Sequence, residues 1–333
     1  MPRARLPVTW IMPVKNGMPY LPETLESIAK QTYEDHTLLV RDDGSSDGTL
    51  AELRRWIPSR IRGRIFSGSS WGIGRSLAFL VEQADTEFCA RIDADDVNLP
   101  HRIERQVDFL LTHPEVGVVG SRVRTIDERG TELELWAFET SDAEIRWLIR
   151  YACRLCHPTV MFRRALVLAA GNYPDFVFER DSVYEDWELW RRMCAMTEMH
   201  NLPEVLVHYR RTGASVTGNV QNWVPVLRTV AAANGASLFP GVSDPGSALE
   251  LWESSLPQTL MGVGAAIPAK AWHLRQLQKS ARLLAAQCHK PSDYFTQTES
   301  FREQYYSLKR RFLRRLGLGP LLKVRDYLAV TQA

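Results

Sequence analysis

The chain has 333 residues, 45% of them hydrophobic and 24% charged, enough to bury one large core with an appended region. Its formal net charge of +2 supplies no global field for nucleic acid, so no nucleic-acid partner is expected. Five cysteines without framework spacing read as reduced thiols, the run 8–14 is too short and interrupted for an export signal, and the uncharged window 254–269 is too short and too rich in Pro and Gly to span a bilayer; a cytoplasmic protein is expected.

In chain order, residues 8–14 form an apolar, β-rich run ending in the turn Pro13-Val14-Lys15-Asn16-Gly17. Leu21, Leu25, Ile28 and Ala29 recur at helical spacing across 20–33. A strand over 37–40 runs into Asp42-Asp43-Gly44-Ser45-Ser46-Asp47-Gly48-Thr49, where Ser46 or Asp47 can cap a helix carrying Leu50, Leu53 and Ile57. A third strand is expected over 61–66 and a helix over 72–84. Next comes a strand reaching Asp93, in which Phe88, Ala90 and Ile92 alternate with Arg91. Pro100 opens a helix with Ile103, Val107, Leu110 and Leu111, and a strand follows over 116–119. Such alternation indicates βαβ units and a mostly parallel sheet. Beyond Arg124 it loosens: 158–162 and 205–209 read as strands, 187–196 as an aromatic-rich helix, and the chain from about 222 as mainly helical. The expected organisation is an α/β domain over 1–220 and a helical region over 221–333.

Acids gather in three places, Asp42-Asp43, Asp93-Ala94-Asp95-Asp96 and Glu185-Asp186. Like charges packed this tightly repel, and at the 93–96 cluster a divalent cation with hard oxygen ligands is the compensation expected. In a parallel sheet the first two clusters reach the same carboxyl-terminal edge, where open α/β sheets bind ligands. A carboxylate there can accept from a nucleobase imide or a ribose hydroxyl, and Gly44 and Gly48 let backbone approach a base. The same loop reads equally as a helix cap. Cys153-Arg154-Leu155-Cys156-His157 has haem-attachment spacing, but with no export signal and no second CxxC it reads as two semi-buried thiols. For His157 a structural role and a chemical one stand level. His208, on an alternating strand, reads as a half-buried imidazole.

The order Ile11-Met12-Pro13-Val14-Lys15-Asn16-Gly17, the Asp42 to Thr49 loop, Ile92-Asp93-Ala94-Asp95-Asp96 and Glu185-Asp186-Trp187 resembles glycosyltransferase family 2 over residues 7–217. His157-Pro158-Thr159-Val160-Met161-Phe162-Arg163 resembles a further segment of that family. The resemblance implies a GT-A fold, a Rossmann-like, mostly parallel sheet flanked by helices, here with a C-terminal helical extension. It implies an inverting, metal-dependent transfer from a nucleoside-diphosphate sugar, a UDP-sugar first, to a hydroxyl of a saccharide or lipid-linked acceptor. Asp42 and Asp43 then meet the nucleoside, with Pro13 and Asn16 beside them. Asp93 and Asp95 form the DxD element, with Asp95 the direct ligand of the metal, Mg²⁺ or Mn²⁺. Asp186 is the catalytic base, with Glu185 and Trp187 next to it at the substrate, although Trp187 and Trp190 also suit a core face. Arg210 or Arg211 meets the diphosphate or stays a surface cation. Lys15, Ala78 and Thr212 stand where the family often has an aromatic, an asparagine and a histidine.

This division of labour has a chemical reason. The acceptor hydroxyl needs a carboxylate to take its proton, the departing diphosphate gathers charge that a metal stabilises, and one carboxylate serving both ends loses its basicity to the metal. Two rivals stay open on sequence: a sugar-phosphate nucleotidyltransferase, which wants a Gly-rich basic loop where only Lys15 and Gly17 stand, and a non-catalytic nucleotide-sugar-binding scaffold. Residues 308–325 form a basic amphipathic stretch that either lies on an anionic membrane surface, placing the protein at the inner membrane face, or packs its leucines on the protein. A role in surface polysaccharide or glycolipid synthesis follows by analogy.

Overall fold

The computed structural model describes residues 6–174, 185–213, 239–255 and 270–315. The chain divides into two compact units, Met1–Ile145 with Cys153–Gln221, and Arg146–Ala152 with Asn222–Ala333. A single cut near 220 therefore does not separate them, because the second unit takes seven residues from the middle of the first.

The first unit is built on a nine-stranded sheet, β1 (Val8–Val14), β2 (His36–Asp42), β3 (Gly63–Ser67), β4 (Phe88–Arg91), β5 (Val97–Asn98), β6 (Val116–Ile126), β7 (Glu132–Trp136), β8 (Met161–Arg163) and β9 (Glu198–Arg210). Its order is β3-β2-β1-β4-β8-β6-β9-β5, with β7 on β6. β1 to β4 are mutually parallel, β8 is antiparallel to β4 and β6, and β9 runs parallel to β6. Most strands thus share one direction. All seven residues of β1 are buried, as expected of a central parallel strand covered on both faces. α1 (Leu21–Ala29), α2 (Thr49–Trp56), α3 (Ile73–Gln83) and α4 (Arg102–Thr112) turn their periodic apolar residues inward, among them Leu25, Leu53, Leu77 and Val107.

Several expectations beyond Arg124 differ. β6 and β9 are far longer than the apolar runs at 116–119 and 205–209, because they pair with each other through register shifts that interrupt the alternation. β7 arises in the segment 128–142 that reads as a loop, as an edge strand with four of five residues exposed. His157–Thr159 is one 3₁₀ turn before β8, which suits the fixed φ of Pro158. α5 (Asp142–Leu148) and α6 (Arg164–Ala169) carry no strong periodic signal, while α7 (Glu185–Met193) starts on the acids.

In the second unit, α8 (Pro245–Ser255), α9 (Ala271–Gln287) and α10 (Glu299–Arg315) enclose the segment Arg146–Ala152. Trp147 is fully buried, donates from Nε1 to Gln304 Oε1 at 2.7 Å and packs edge-on against Phe301. Tyr151 and Ser255 share a hydroxyl–hydroxyl hydrogen bond of 3.0 Å, and Trp252 donates to the Arg150 carbonyl at 3.0 Å. Of the basic stretch 308–325, Leu308 is buried, and residues 316–325 lie outside the described residues. Among the described residues no helix is long and apolar enough to cross a membrane.

Candidate active site

Asp42 ends β2 opposite Val14, the end of β1, so both chains leave the sheet side by side. Its carboxylate accepts from Ser45 N at 3.2 Å and Ser67 Oγ at 2.8 Å, one bond to each oxygen. Asp43 is more heavily engaged. Oδ1 accepts from Trp71 N (2.7 Å) and Ser76 Oγ (3.1 Å), Oδ2 from Ser70 Oγ (2.8 Å) and Gly72 N (3.0 Å). Burial works against its charge, yet these donors together outweigh it and hold the carboxyl below its ordinary range. Gly44 sits at φ +78°, and a Cβ there would lie 3.2 Å from the Gly68 carbonyl, so the turn needs a glycine. Asn16 ties the first loop to the second, donating from its backbone to Ser45 Oγ and accepting at Oδ1 from Ser46 N, both at 2.9 Å. Pro13 is buried within β1 opposite Arg41.

The second acid group follows β4. Arg91 is 2% exposed and grips Asp93 with both terminal nitrogens, at 2.5 Å each. Asp95 is pushed up to about 6 by burial and then by the charge of Asp93. Asp96 is fully buried and raised well above the carboxylate range by burial, Asp95 and Asp93. Its Oδ1 accepts from Arg210 N at 2.8 Å, and its buried Oδ2 has no hydrogen-bond partner. One oxygen from each of Asp93, Asp95 and Asp96 lies within 4.8 Å of the others. Hard oxygens crowded against their own repulsion, one of them orphaned, fit a divalent cation.

Arg210 is no free cation. Buried at 2% exposure, its guanidinium donates to the carbonyls of Asp95 (2.9 Å), Asp127 (3.1 Å) and Glu128 (3.4 Å) and to Glu23, and it lies over the Tyr20 ring. It braces the backbone that carries the acids instead of facing a diphosphate. Arg211 is exposed and pairs with Glu134.

The third group opens α7. Asp186 Oδ1 accepts from Trp187 N at 2.7 Å, and Oδ2 from the Cys153 thiol at 3.5 Å. Burial, and next the nearby His157 and Glu185, act on Asp186, with a net rise above its ordinary range. Glu185 is buried, its Oε2 unpartnered, and burial pushes it up to about 7. His157 Nδ1 lies 3.4 Å from Glu185 Oε1 and 4.0 Å from Asp186 Oδ2. Trp187 is 3% exposed and belongs to the core, not to a sugar-facing surface. Arg91 and Asp93 both act on Glu185 and His157, so the second and third acid groups share one electrostatic neighbourhood.

Four contributors escape sequence reasoning: Arg91, Tyr173, Cys153 and Gly74. Gly74 lets α3 approach closely, since a Cβ there would meet the Pro174 carbonyl at 2.4 Å and Glu185 Cβ at 3.5 Å. An arginine closing an apolar strand just before three acids was the one available signal. Residues 175–184, which lead into α7, lie outside the described residues.

Residues 9–168 match the family described as Glycosyl transferase family 2. The chain is 31% identical over 205 residues to the amylovoran biosynthesis glycosyltransferase AmsE of Erwinia amylovora, a match spanning 61% of this chain and 74% of that protein. The chain belongs to glycosyltransferase family 2. It is also 27% identical over 207 residues to the O-antigen biosynthesis glycosyltransferase WbnJ of Escherichia coli, covering 61% and 79% of the two proteins. Residues 1–349 of TarS from S. aureus, solved with UDP-GlcNAc, superpose with a TM-score of 0.57 at 16% identity, covering 94% of this chain and 92% of that one. The mannosyltransferase PcManGT of Pyrobaculum calidifontis, solved with GDP-Man and Mn²⁺, gives 0.53 at 18% identity, covering 97% and 89%. These likenesses establish the GT-A fold, and this family 2 member is a glycosyltransferase.

Proposed function

We propose that the enzyme is an inverting, metal-dependent transferase that moves a sugar from a nucleoside-diphosphate sugar to an acceptor hydroxyl in polysaccharide biosynthesis. The observation that carries the reading is the separation of the acids into two groups with different partners. Asp93, Asp95 and Asp96 form a cluster of carboxylates alone, whereas Asp186 stands in a second cluster, equally tight, with His157 and Glu185, and accepts from the Cys153 thiol. The names of AmsE and WbnJ support the polysaccharide, and the ligands of TarS and PcManGT support the donor class.

Mg²⁺ or Mn²⁺ would be held by Asp95 with Asp93, where it supplies charge stabilisation for the departing diphosphate. Asp42 or Asp43 reads the nucleoside, both standing at the carboxyl end of β2 and both buried in the ligand-free structure. Each Asp42 oxygen accepts one protein donor, which leaves a lone pair for an imide or ribose hydroxyl, while each Asp43 oxygen accepts two from the 70–76 loop. Asp186, raised by burial, takes the acceptor's proton as the new bond forms. The acceptor is a saccharide or lipid-linked saccharide.

The test is thermal stabilisation by UDP, GDP and their sugars, with and without Mn²⁺, because a ligand of the folded state raises its melting temperature. A Mn²⁺-dependent shift with UDP or GDP supports the donor site, and a UDP-sugar is the first donor to try. A response to nucleoside triphosphates alone overturns it in favour of a nucleotidyltransferase. For the base, Asp186→Asn is expected to lower turnover by roughly 10²–10⁴-fold and leave donor binding intact; unchanged turnover rules Asp186 out.

A further inference from the structure

In the sequence His157 closes a haem-like spacing that the fold gives no use and opens the segment 157–163, with a structural and a chemical role standing level. In the structure its ring is 9% exposed and wedged between Trp190, edge-on with centroids 6.2 Å apart, and Tyr173, at 5.6 Å. Both ring nitrogens have polar neighbours. Nδ1 faces Glu185 Oε1 at 3.4 Å and Asp186 Oδ2 at 4.0 Å, and Nε2 lies 3.0 Å from the Tyr173 hydroxyl. The titratable groups around it are Cys153 and Cys156 on the chain before the turn, Arg91 and Asp93 after β4, Tyr173, and Glu185 and Asp186 on α7.

We propose that His157 is a positioning residue for the base: a neutral imidazole, held in its Nδ1–H tautomer by the Tyr173 hydroxyl, that turns Nδ1–H to Glu185 Oε1 and, at 4.0 Å, lays the positive end of its N–H dipole beside Asp186 Oδ2, favouring the ionised base. The argument runs on donors and acceptors. Ionised Asp186 can only accept, and Glu185, even when protonated on its unpartnered Oε2, still turns an acceptor oxygen, Oε1, toward the ring, so the proton belongs on Nδ1. Nε2 is then an acceptor and needs a donor, and a buried tyrosine hydroxyl, kept protonated by its burial, is one. The second nitrogen of the ring thus sets what the first one offers. Burial, and the charge of Arg91 after it, push His157 down to about 3, in line with a ring that stays neutral throughout the working range. This rests on Asp186 being the base.

The experiment is heteronuclear NMR of the full chain with ¹⁵N-labelled histidine and ¹³C-labelled Asp and Glu carboxyls, His157 and Asp186 being assigned with the variants. Expected is a ring with protonated Nδ1 and bare Nε2, unchanged from roughly pH 5 to 8. Tyr173→Phe removes the donor at Nε2 and should give a mixture of tautomers. His157→Asn keeps an amide donor near the Nδ1 position, whereas His157→Gln places it near Nε2. The Gln variant should raise the Asp186 titration midpoint by about one pH unit, and the Asn variant by less than half of that. A wild-type ring protonated on Nε2, or an Asp186 midpoint indifferent to His157→Gln in a folded protein, overturns the proposal. Failure of the underlying reading looks different: the tautomer is as expected, and Asp186→Asn retains full turnover.

Discussion

Arg91 and Asp93 face each other as a two-pronged ion pair, both nitrogen–oxygen distances 2.5 Å, with the arginine side chain 2% exposed and the aspartate 29%. Asp93 therefore enters the acid cluster with its charge partly offset, although it still acts on Asp95 and, with Asp95, on Asp96. Arg91→Leu strands a partly buried carboxylate and should cost about 2–3 kcal/mol in urea denaturation. The double change Arg91→Leu with Asp93→Leu should recover most of it. A double variant as unstable as the sum of the single ones would show that the pair is not the unit.

Glu185 gives a pH signature with a definite sign. Its carboxyl is pushed up to about 7 from 4.5, so the folded state favours the protonated form. The stability linked to this group is complete below about 4.5 and is lost as pH rises through about 7. Glu185→Gln removes that loss. The variant should match the wild type near pH 4.5 and exceed it at pH 8 by on the order of 2 kcal/mol. Denaturation curves at the two pH values, without metal, decide it, and a gap independent of pH counts against it.

Asp43 should behave in the opposite way. With four donors on its carboxylate, Asp43→Ala abandons the 70–76 loop and should cost about 3–4 kcal/mol at neutral pH. Because its carboxyl is held below 3.8, this contribution is present above that pH and fades as acid protonates the group. Asp42→Asn should change stability little and weaken UDP binding instead. Parallel urea melts and UDP-induced shifts of melting temperature separate the two.

At Gly74, two effects of an added methyl compete. Alanine gains about 1 kcal/mol of helix propensity over glycine. Its Cβ would also stand 2.4 Å from the Pro174 carbonyl, a backbone atom that no rotamer change can move. The clash should win, so Gly74→Ala is expected to lose about 1–3 kcal/mol net and to lower turnover by displacing Glu185. A stabilised and fully active variant would show that this approach has slack.

The β1 to β4 half was legible because its strands are short, helices with a clean period intervene, and acids fall where β2 and β4 stop. Beyond β6 the signals are tertiary. β9 draws its length from pairing with β6, and the run 205–209 announces only its last part. The same distinction holds inside the site. Asp95 and Asp186 stand out by residue type, but Tyr173 on His157, Arg210 on the Asp95 carbonyl and Ser76 on Asp43 are contacts between residues far apart in sequence. Sequence therefore names the acids more readily than the residues that set their charge.

The loan of Arg146–Ala152 to the second unit has a consequence for how the chain is made. Trp147, Ile149 and Tyr151 are at most 2% exposed, and their helical surroundings are encoded by residues 239–315. On a ribosome adding about 5–20 residues per second, these side chains leave the exit tunnel on the order of ten seconds before the last of the helices that will cover them. During that interval the nascent protein carries an apolar stretch, immediately ahead of the turn that holds His157, with nothing yet synthesised to shield it. Early folding of the α/β half thus coexists with a sticky segment whose described cover comes from residues 239–315, and a ribosome stalled shortly after residue 221 would display a chaperone-binding site.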